Sequence, residues 1–118
     1  MSEFDVRKVA VRASGLFSYI LLYAPRFPEE DQTDTKLQCD KLVALLEQLR
    51  ARTKSEDNLL WLRLAVDEVG EALEKYEAGD EDGGAAAIQK AQDHFKGYVQ
   101  GRTTKVTFVA GPGGVKKT

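Results

Sequence analysis

Carboxylates recur at close spacing in the third quarter of the chain, where Asp67, Glu68 and Glu71 are followed by Glu74 and Glu77. Residues three or four positions apart share one face of a helix. Hard cations such as Mg²⁺ take oxygen ligands from several carboxylates on one surface. If this stretch is helical, Asp67, Glu68 and Glu71 are therefore the candidate ligands for a metal-dependent reaction.

The string Asp67-Glu68-Val69-Gly70-Glu71 resembles the first half of a signature of the all-α MazG-like nucleotide pyrophosphohydrolases. That family carries a Glu-Glu-x-x-Glu helix followed by a Glu-x-x-Asp helix, which together hold magnesium against a nucleoside triphosphate. Asp67 stands where the family has its first Glu, and the next helix offers Lys90-Ala91-Gln92-Asp93 with lysine in place of the acid. The resemblance implies a Mg-dependent nucleoside triphosphate pyrophosphohydrolase as the alternative function.

Helix geometry gives these carboxylates a second interpretation. At about 100° per residue, Asp67, Glu71 and Glu74 fall on one side of a helix. The apolar positions of the same stretch centre on the opposite side, and they are Leu62, Ala65, Val69 and Tyr76. This arrangement predicts a solvated charged face, which becomes a site only if a second subunit covers it. We therefore expect no catalytic residue and no cofactor.

Other kinds of catalysis are limited by the single histidine, His94, and the single cysteine, Cys39. Zinc needs three or four ligands, and a nucleophilic triad needs a histidine paired with its nucleophile. Cys39 lies beside an apolar stripe that contains Leu42 and Leu46, which predicts a half-buried structural thiol. His94 precedes the inward-facing Phe95 and is expected at the surface.

Composition narrows the remaining classes. The chain has 118 residues, 42% hydrophobic and 31% charged, which fits one globular domain. A net charge of −2 without a basic stripe argues against nucleic-acid binding. The longest apolar run, Leu16 to Ala24, is far shorter than the ~20 residues of a membrane-spanning helix. One cysteine without a disulfide partner favours the cytoplasm.

Hydrophobic residues at helical spacing predict four helices, over Asp5 to Tyr23, Thr35 to Thr53, Glu56 to Ala78 and Ala85 to Gln100. Ser55 is expected to cap the third helix. Residues 79–84 contain three glycines and are predicted to form a loop. In the fourth helix Ile88, Ala91, Phe95 and Val99 should face inward. A competing interpretation makes Phe17 to Tyr23 a β-strand, because aromatic and β-branched residues gather there.

These helices predict an all-α fold, an up-down four-helix bundle over residues 1–101, followed by a short extended or flexible C-terminal tail over residues 102–118. Within the tail, Val106 to Val109 is predicted to form a short strand. Such a segment can add to the sheet edge of a partner, fold back on its own bundle, or remain disordered.

Two helical segments carry more apolar residues than are needed to pack one face of a helix against the core. They are Leu16 to Tyr23 and Leu59 to Leu64. A second subunit or a broad core contact would account for them equally well. We expect a non-enzymatic interaction or accessory protein, homodimeric and acting on another protein through an apolar helix face or its tail. The expected partner-binding residues are Leu60, Trp61, Leu64, Val106, Phe108 and Val109.

Overall fold

The structure, a computed structural model, describes residues 5–102 and consists of four α-helices joined by short connections. They are α1 (Val6–Tyr23), α2 (Thr35–Ala51), α3 (Glu56–Glu77) and α4 (Glu81–Gln100), with a 3₁₀ helix (Glu29–Asp31) between α1 and α2. Each helix packs against the next in sequence, and α1 also contacts α4. The predicted all-α four-helix bundle is confirmed.

Every α-helix begins at a side chain that accepts a hydrogen bond from a backbone N–H in the first turn. Such a cap satisfies one of the amide groups that a helix leaves without a partner. The pairs and donor–acceptor distances are Asp5 with Lys8 (3.2 Å), Asp34 with Leu37 (2.8 Å), Ser55 with Asn58 (3.2 Å) and Asp80 with Gly83 (2.9 Å). The predicted cap at Ser55 is confirmed.

The fourth helix starts earlier than the sequence predicted, at Glu81 instead of Ala85. Gly79 has a left-handed backbone (φ +86°) and separates α3 from the cap of α4 at Asp80. Gly84 lies inside the first turns of α4, where a Cβ would come within 2.8 Å of the Tyr76 ring. The predicted loop over residues 79–84 is therefore wrong for residues 81–84, which are helical. Gly84 permits close packing of α4 against α3 there.

The segment Phe17 to Tyr23 is helical, so the strand interpretation is wrong. Phe17 and Ile20 project into the bundle and are fully buried. The remaining core positions of the bundle repeat at the same three- and four-residue spacing on all four helices. They are Val9, Ala13, Cys39, Leu42, Leu46, Leu49, Leu62, Ala65, Val69, Ala72, Tyr76, Ala87, Ile88, Ala91 and Phe95.

Val99 was predicted to face inward, but it is 59% exposed. The half-buried Tyr98 packs against the core at this level of α4 instead. Val99 points toward the first turns of α1, where the two helices leave a gap between them. The prediction failed because the helical period alone does not show how closely a neighbouring helix approaches.

Gly101 follows α4 in a left-handed conformation (φ +66°), directly after Gln100, the predicted last residue of the helix. The predicted tail, including Val106, Phe108 and Val109, lies outside the described residues apart from Arg102. None of the helices within residues 5–102 is sufficiently long and apolar to span a lipid bilayer.

Candidate interaction surface

The carboxylates of α3 are spread along the helix rather than gathered in one cluster within residues 5–102. Asp67, Glu71 and Glu74 are exposed on the side of α3 that faces away from the core, as the helix geometry predicted. Glu68 lies at the flank, and one of its carboxylate oxygens is buried without a hydrogen-bond partner among the described residues. In residues 5–102 no three histidine, cysteine or acidic side chains come together in a group that could hold a metal ion.

Cys39 is fully buried rather than half-buried, with 1% of its surface exposed. Burial raises the pKa of the Cys39 thiol to about 11, and the nearby carboxylates of Asp40 and Glu77 add to the shift. The thiol therefore stays protonated at neutral pH, whereas nucleophilic and redox chemistry require the thiolate. Cys39 acts as a core residue.

Trp61 joins the start of α3 to the end of α4. Its indole ring lies on Gly97, where a Cβ would come within 2.7 Å of the ring, and it stacks on His94 with 5.8 Å between ring centroids. The indole N–H donates a hydrogen bond to the carbonyl oxygen of Arg102 at 2.9 Å. These contacts give Trp61 a clear structural role within its own chain.

Leu60 and Leu64, the other predicted partner-binding residues of α3, are half-buried in the single chain. Leu60 lies beside Leu59 in a shallow depression that also contains Arg50 and Arg63. Partner binding by Leu60, Trp61 and Leu64 remains a prediction. Their burial within one chain accounts for much of the apolar surplus in this segment.

The strongly exposed large apolar side chains lie elsewhere. Among the described residues they are Val6, Val11, Leu22, Tyr23, Leu37 and Val99. Three of them, Val6, Val11 and Val99, line a groove between α1 and α4. We call this the α1–α4 groove.

The α1–α4 groove consists of two adjoining depressions of about 330 and 420 Å³, which share Arg7, Ala10 and Val99. Its walls are the first turns of α1 and the last turns of α4, so residues far apart in sequence form one surface. The remaining lining residues are Val6, Val11, Ser14, Asn58, Gln92, Phe95, Lys96, Tyr98 and Gln100.

Side-chain size explains why the groove exists. On the α1 side, the small side chains of Ala10 and Ser14 line the groove without filling it. On the α4 side, Gln92 and Lys96 are long but polar, and Lys96 extends into solvent. The seam is closed further along α1, where Phe17 contacts Phe95 with 5.4 Å between ring centroids.

The groove has an apolar floor and a positively charged rim. Arg7 on α1 and Lys96 on α4 are exposed, and neither forms an ion pair within residues 5–102. No carboxylate belongs to the lining residues. The side-chain oxygen of Asn58 is buried at one end and has no hydrogen-bond partner in the described part of the chain. No histidine belongs to the lining residues either, so among them the hydroxyls of Ser14 and Tyr98 have no base beside them.

Sequence reasoning missed this groove because it assigned Val99 to the core. One signal was present: Val11 falls outside the apolar stripe formed by Val9, Ala13 and Phe17, so it had to face another direction. The second wall comes from α4, and only the folded chain brings the two helices together. No protein-family model matches the sequence, and no curated protein or solved structure is significantly similar to it.

Proposed function

We propose that this chain is a non-enzymatic protein-interaction module, and that its α1–α4 groove binds an apolar helical segment with acidic flanks. The observation that carries the proposal is the convergence of exposed apolar side chains, Val6, Val11 and Val99, on one groove. A monomeric protein gains nothing in folding stability from valines that remain exposed to solvent. A partner that covers them would gain the free energy of their burial.

The shape of the groove favours a helix as the occupant. Its α1 wall extends from Val6 to Ser14, about two and a half turns, and its α4 wall is similar in length. Amphipathic helices dock into apolar grooves through side chains at positions i, i+3 or i+4, and i+7. A segment of about three turns would bring one such row of side chains onto the floor.

The charge of the rim favours carboxylates beside that apolar row. Arg7 and Lys96 lie on opposite walls, so a bound helix would place one flank near each cation. Exposed ion pairs of this kind contribute about 0.2–1 kcal/mol each. Their larger effect is to speed association and to disfavour partners with basic flanks.

A direct test uses a fluorescent synthetic helix of about three turns, with leucine at i, i+3, i+4 and i+7 and glutamate on both flanks. The matched control peptide keeps the leucines and carries lysine in place of glutamate. We expect anisotropy titrations to show binding of the glutamate peptide and at least tenfold weaker binding of the lysine peptide. Equal binding of the two would contradict the role of Arg7 and Lys96.

The apolar floor is tested with Val99→Ser, which removes buried surface from the complex without adding charge. Burial of one valine is worth about 1.5 kcal/mol, which corresponds to roughly tenfold in the dissociation constant. Leu37→Ser is the matched control, because Leu37 is 43% exposed but lies on α2, away from the groove. Unchanged binding by Val99→Ser would remove the groove from the proposal.

We also propose that the protein acts in the cytoplasm. A single free cysteine held in the core, with no disulfide among the described residues, accords with a reducing compartment. Fractionation of cells that express the tagged chain tests this, and recovery in a secreted fraction would contradict it.

A further inference from the structure

The solvent face of α1 carries a stripe without charge that runs over three turns. Val11, Gly15, Ser18 and Leu22 follow one another at spacings of four, three and four residues and therefore lie in one row. All four are exposed, Val11 by 65% and Leu22 by 71%. A Cβ on Gly15 would meet no atom within 4 Å, so nothing in the single chain requires a glycine there.

The stripe has the same pattern of large and small residues in both directions. Val11 and Leu22 lie at its ends, Gly15 and Ser18 lie inside, and the midpoint falls between Leu16 and Phe17. In an antiparallel pair of such helices, Val11 comes level with Leu22 of the partner subunit, and Gly15 with Ser18 of the partner subunit. Small central residues allow the backbones to approach, and larger end residues fill the space beyond them.

We propose that two copies of this chain associate through this stripe, as an antiparallel pair of α1 helices related by a twofold axis. A twofold interface uses the same patch on both subunits. A row of residues that is symmetric about its midpoint can therefore pair with a second copy of itself.

The charges beside the stripe support the antiparallel direction. Lys8, Arg12 and Tyr19 lie on one flank of α1, at spacings of four and seven residues. The Tyr19 hydroxyl donates a hydrogen bond to Asp31 at 2.5 Å, and its ring contacts Phe27 with 5.3 Å between centroids. These contacts hold the acidic 3₁₀ helix against the C-terminal half of this flank. The N-terminal half of the same flank is basic, because it carries Lys8 and Arg12.

In an antiparallel pair related by a twofold axis, this flank of one subunit lies beside the same flank of the partner subunit. The two flanks run in opposite directions. Lys8 and Arg12 then come level with the acidic 3₁₀ helix of the partner subunit, twice per dimer. Within residues 5–102, Lys8, Arg12, Glu29 and Glu30 form no ion pair. A parallel pair would instead place like charges together, which is unfavourable.

The interface is small. One helix pair of this length, with two charged flanks, falls at or below the ~1,200 Å² that marks the lower end of standard interfaces. We therefore expect a dimer that dissociates at micromolar concentration. Val11 belongs to both the stripe and the α1–α4 groove, whereas Leu22 belongs only to the stripe and Val99 only to the groove. Variants of Leu22 and Val99 therefore distinguish the dimer from the proposed function.

Sedimentation velocity of the full chain, from low micromolar to submillimolar concentration, tests the association. We expect a concentration-dependent equilibrium between monomer and dimer for the natural chain. Leu22→Arg should remain monomeric throughout while its circular dichroism stays helical, since Leu22 is 71% exposed. Val99→Ser, the groove variant, should dimerise like the natural chain. A monomeric natural chain, or an undiminished dimer of Leu22→Arg, would overturn the proposal.

Disulfide trapping tests the register. Gly15→Cys and Ser18→Cys are prepared separately, mixed in equal amounts and oxidised, while the buried Cys39 stays unreactive. The antiparallel register predicts that the mixed disulfide between positions 15 and 18 predominates. Predominance of disulfides between two copies of the same variant would overturn the antiparallel pairing. Because neither measurement uses the peptide, loss of peptide binding alone leaves this inference standing.

Discussion

Helix α4 packs against two helices, α3 and α1. Side chains fill the interface with α3 (the closed seam), whereas part of the interface with α1 is unfilled (the open seam). Against α3 the seam is closed by aromatic rings that lie on glycines, Tyr76 on Gly84 and Trp61 on Gly97. Against α1 the seam is closed in the middle by Phe17 and Phe95 and leaves a groove at the end where α1 begins. The same helix therefore stabilises the bundle with one side and leaves an open groove, the proposed binding surface, on the other.

The far end of the α1–α4 seam is bridged. The guanidinium of Arg26, just after α1, donates to both carboxylate oxygens of Glu81 at 3.1 and 2.7 Å. Both side chains are substantially exposed, so the pair contributes little to stability. It lies at the opposite end of the interface from Arg7 and Lys96.

The largest expected effect is a loss of folding stability when the closed seam between α3 and α4 is disrupted. Trp61→Ala removes the ring from Gly97 and His94 and the hydrogen bond to Arg102, and should lower the free energy of unfolding by about 3 kcal/mol. Val99→Ala, on the open seam, should change it by less than about 0.5 kcal/mol. Urea denaturation measures both values. A similar loss for the two variants would show that the seams do not differ.

The glycines of the closed seam give the next effect. Gly84→Ala and Gly97→Ala place a Cβ within 2.8 and 2.7 Å of an aromatic ring. Overpacking costs about 1–3 kcal/mol, which exceeds the ~1 kcal/mol that alanine gains over glycine in a helix. Thermal melts should show a net loss of about 1 kcal/mol for each variant. Stabilisation would mean that the rings move aside freely.

Filling the open seam should have the opposite sign. Ser14→Leu adds an apolar side chain to the α1–α4 groove and should raise the free energy of unfolding by about 1 kcal/mol. The same change should abolish binding of the glutamate-flanked peptide, because the added side chain occupies its place. Calorimetric melting and anisotropy check the two effects, and a gain in stability with unchanged peptide binding would separate the groove from the function.

The smallest effect concerns glycines that face open space. A Cβ at Gly15 or Gly70 meets no atom within 4 Å. Alanine at either position should raise the free energy of unfolding by about 0.5–1 kcal/mol through helix propensity. Urea denaturation in dilute solution, where monomer predominates, measures this gain. If Gly15→Ala instead destabilised the monomer, α1 would have a neighbour at that position within its own chain.

The sequence was sufficient for the presence of the four helices and for most of their ends, because these signals are local. Caps at Asp5 and Ser55, and the glycine stop at Gly101, act within a few residues of the helix end they define. The solvated face of Asp67 and Glu71 also followed from the helical period alone.

The seams were not predictable in this way. Gly84 and Gly97 indicate a loop or a helix stop when considered alone, and their purpose appears only with Tyr76 and Trp61 opposite them. Similarly, Val99 is apolar and at core spacing, yet it is exposed because Ala10 and Ser14 on α1 are small. These outcomes depend on the sizes of side chains on two different helices, which a single-helix pattern does not contain.

The central claim, that the open seam is the binding surface, is tested most directly by mapping backbone amide chemical shifts during titration with the glutamate-flanked peptide. We predict that the largest changes follow α1 from Val6 to Ser14 and α4 from Gln92 to Gln100. Changes centred on Leu60 and Leu64 of α3, with the amides of the groove unmoved, would contradict it.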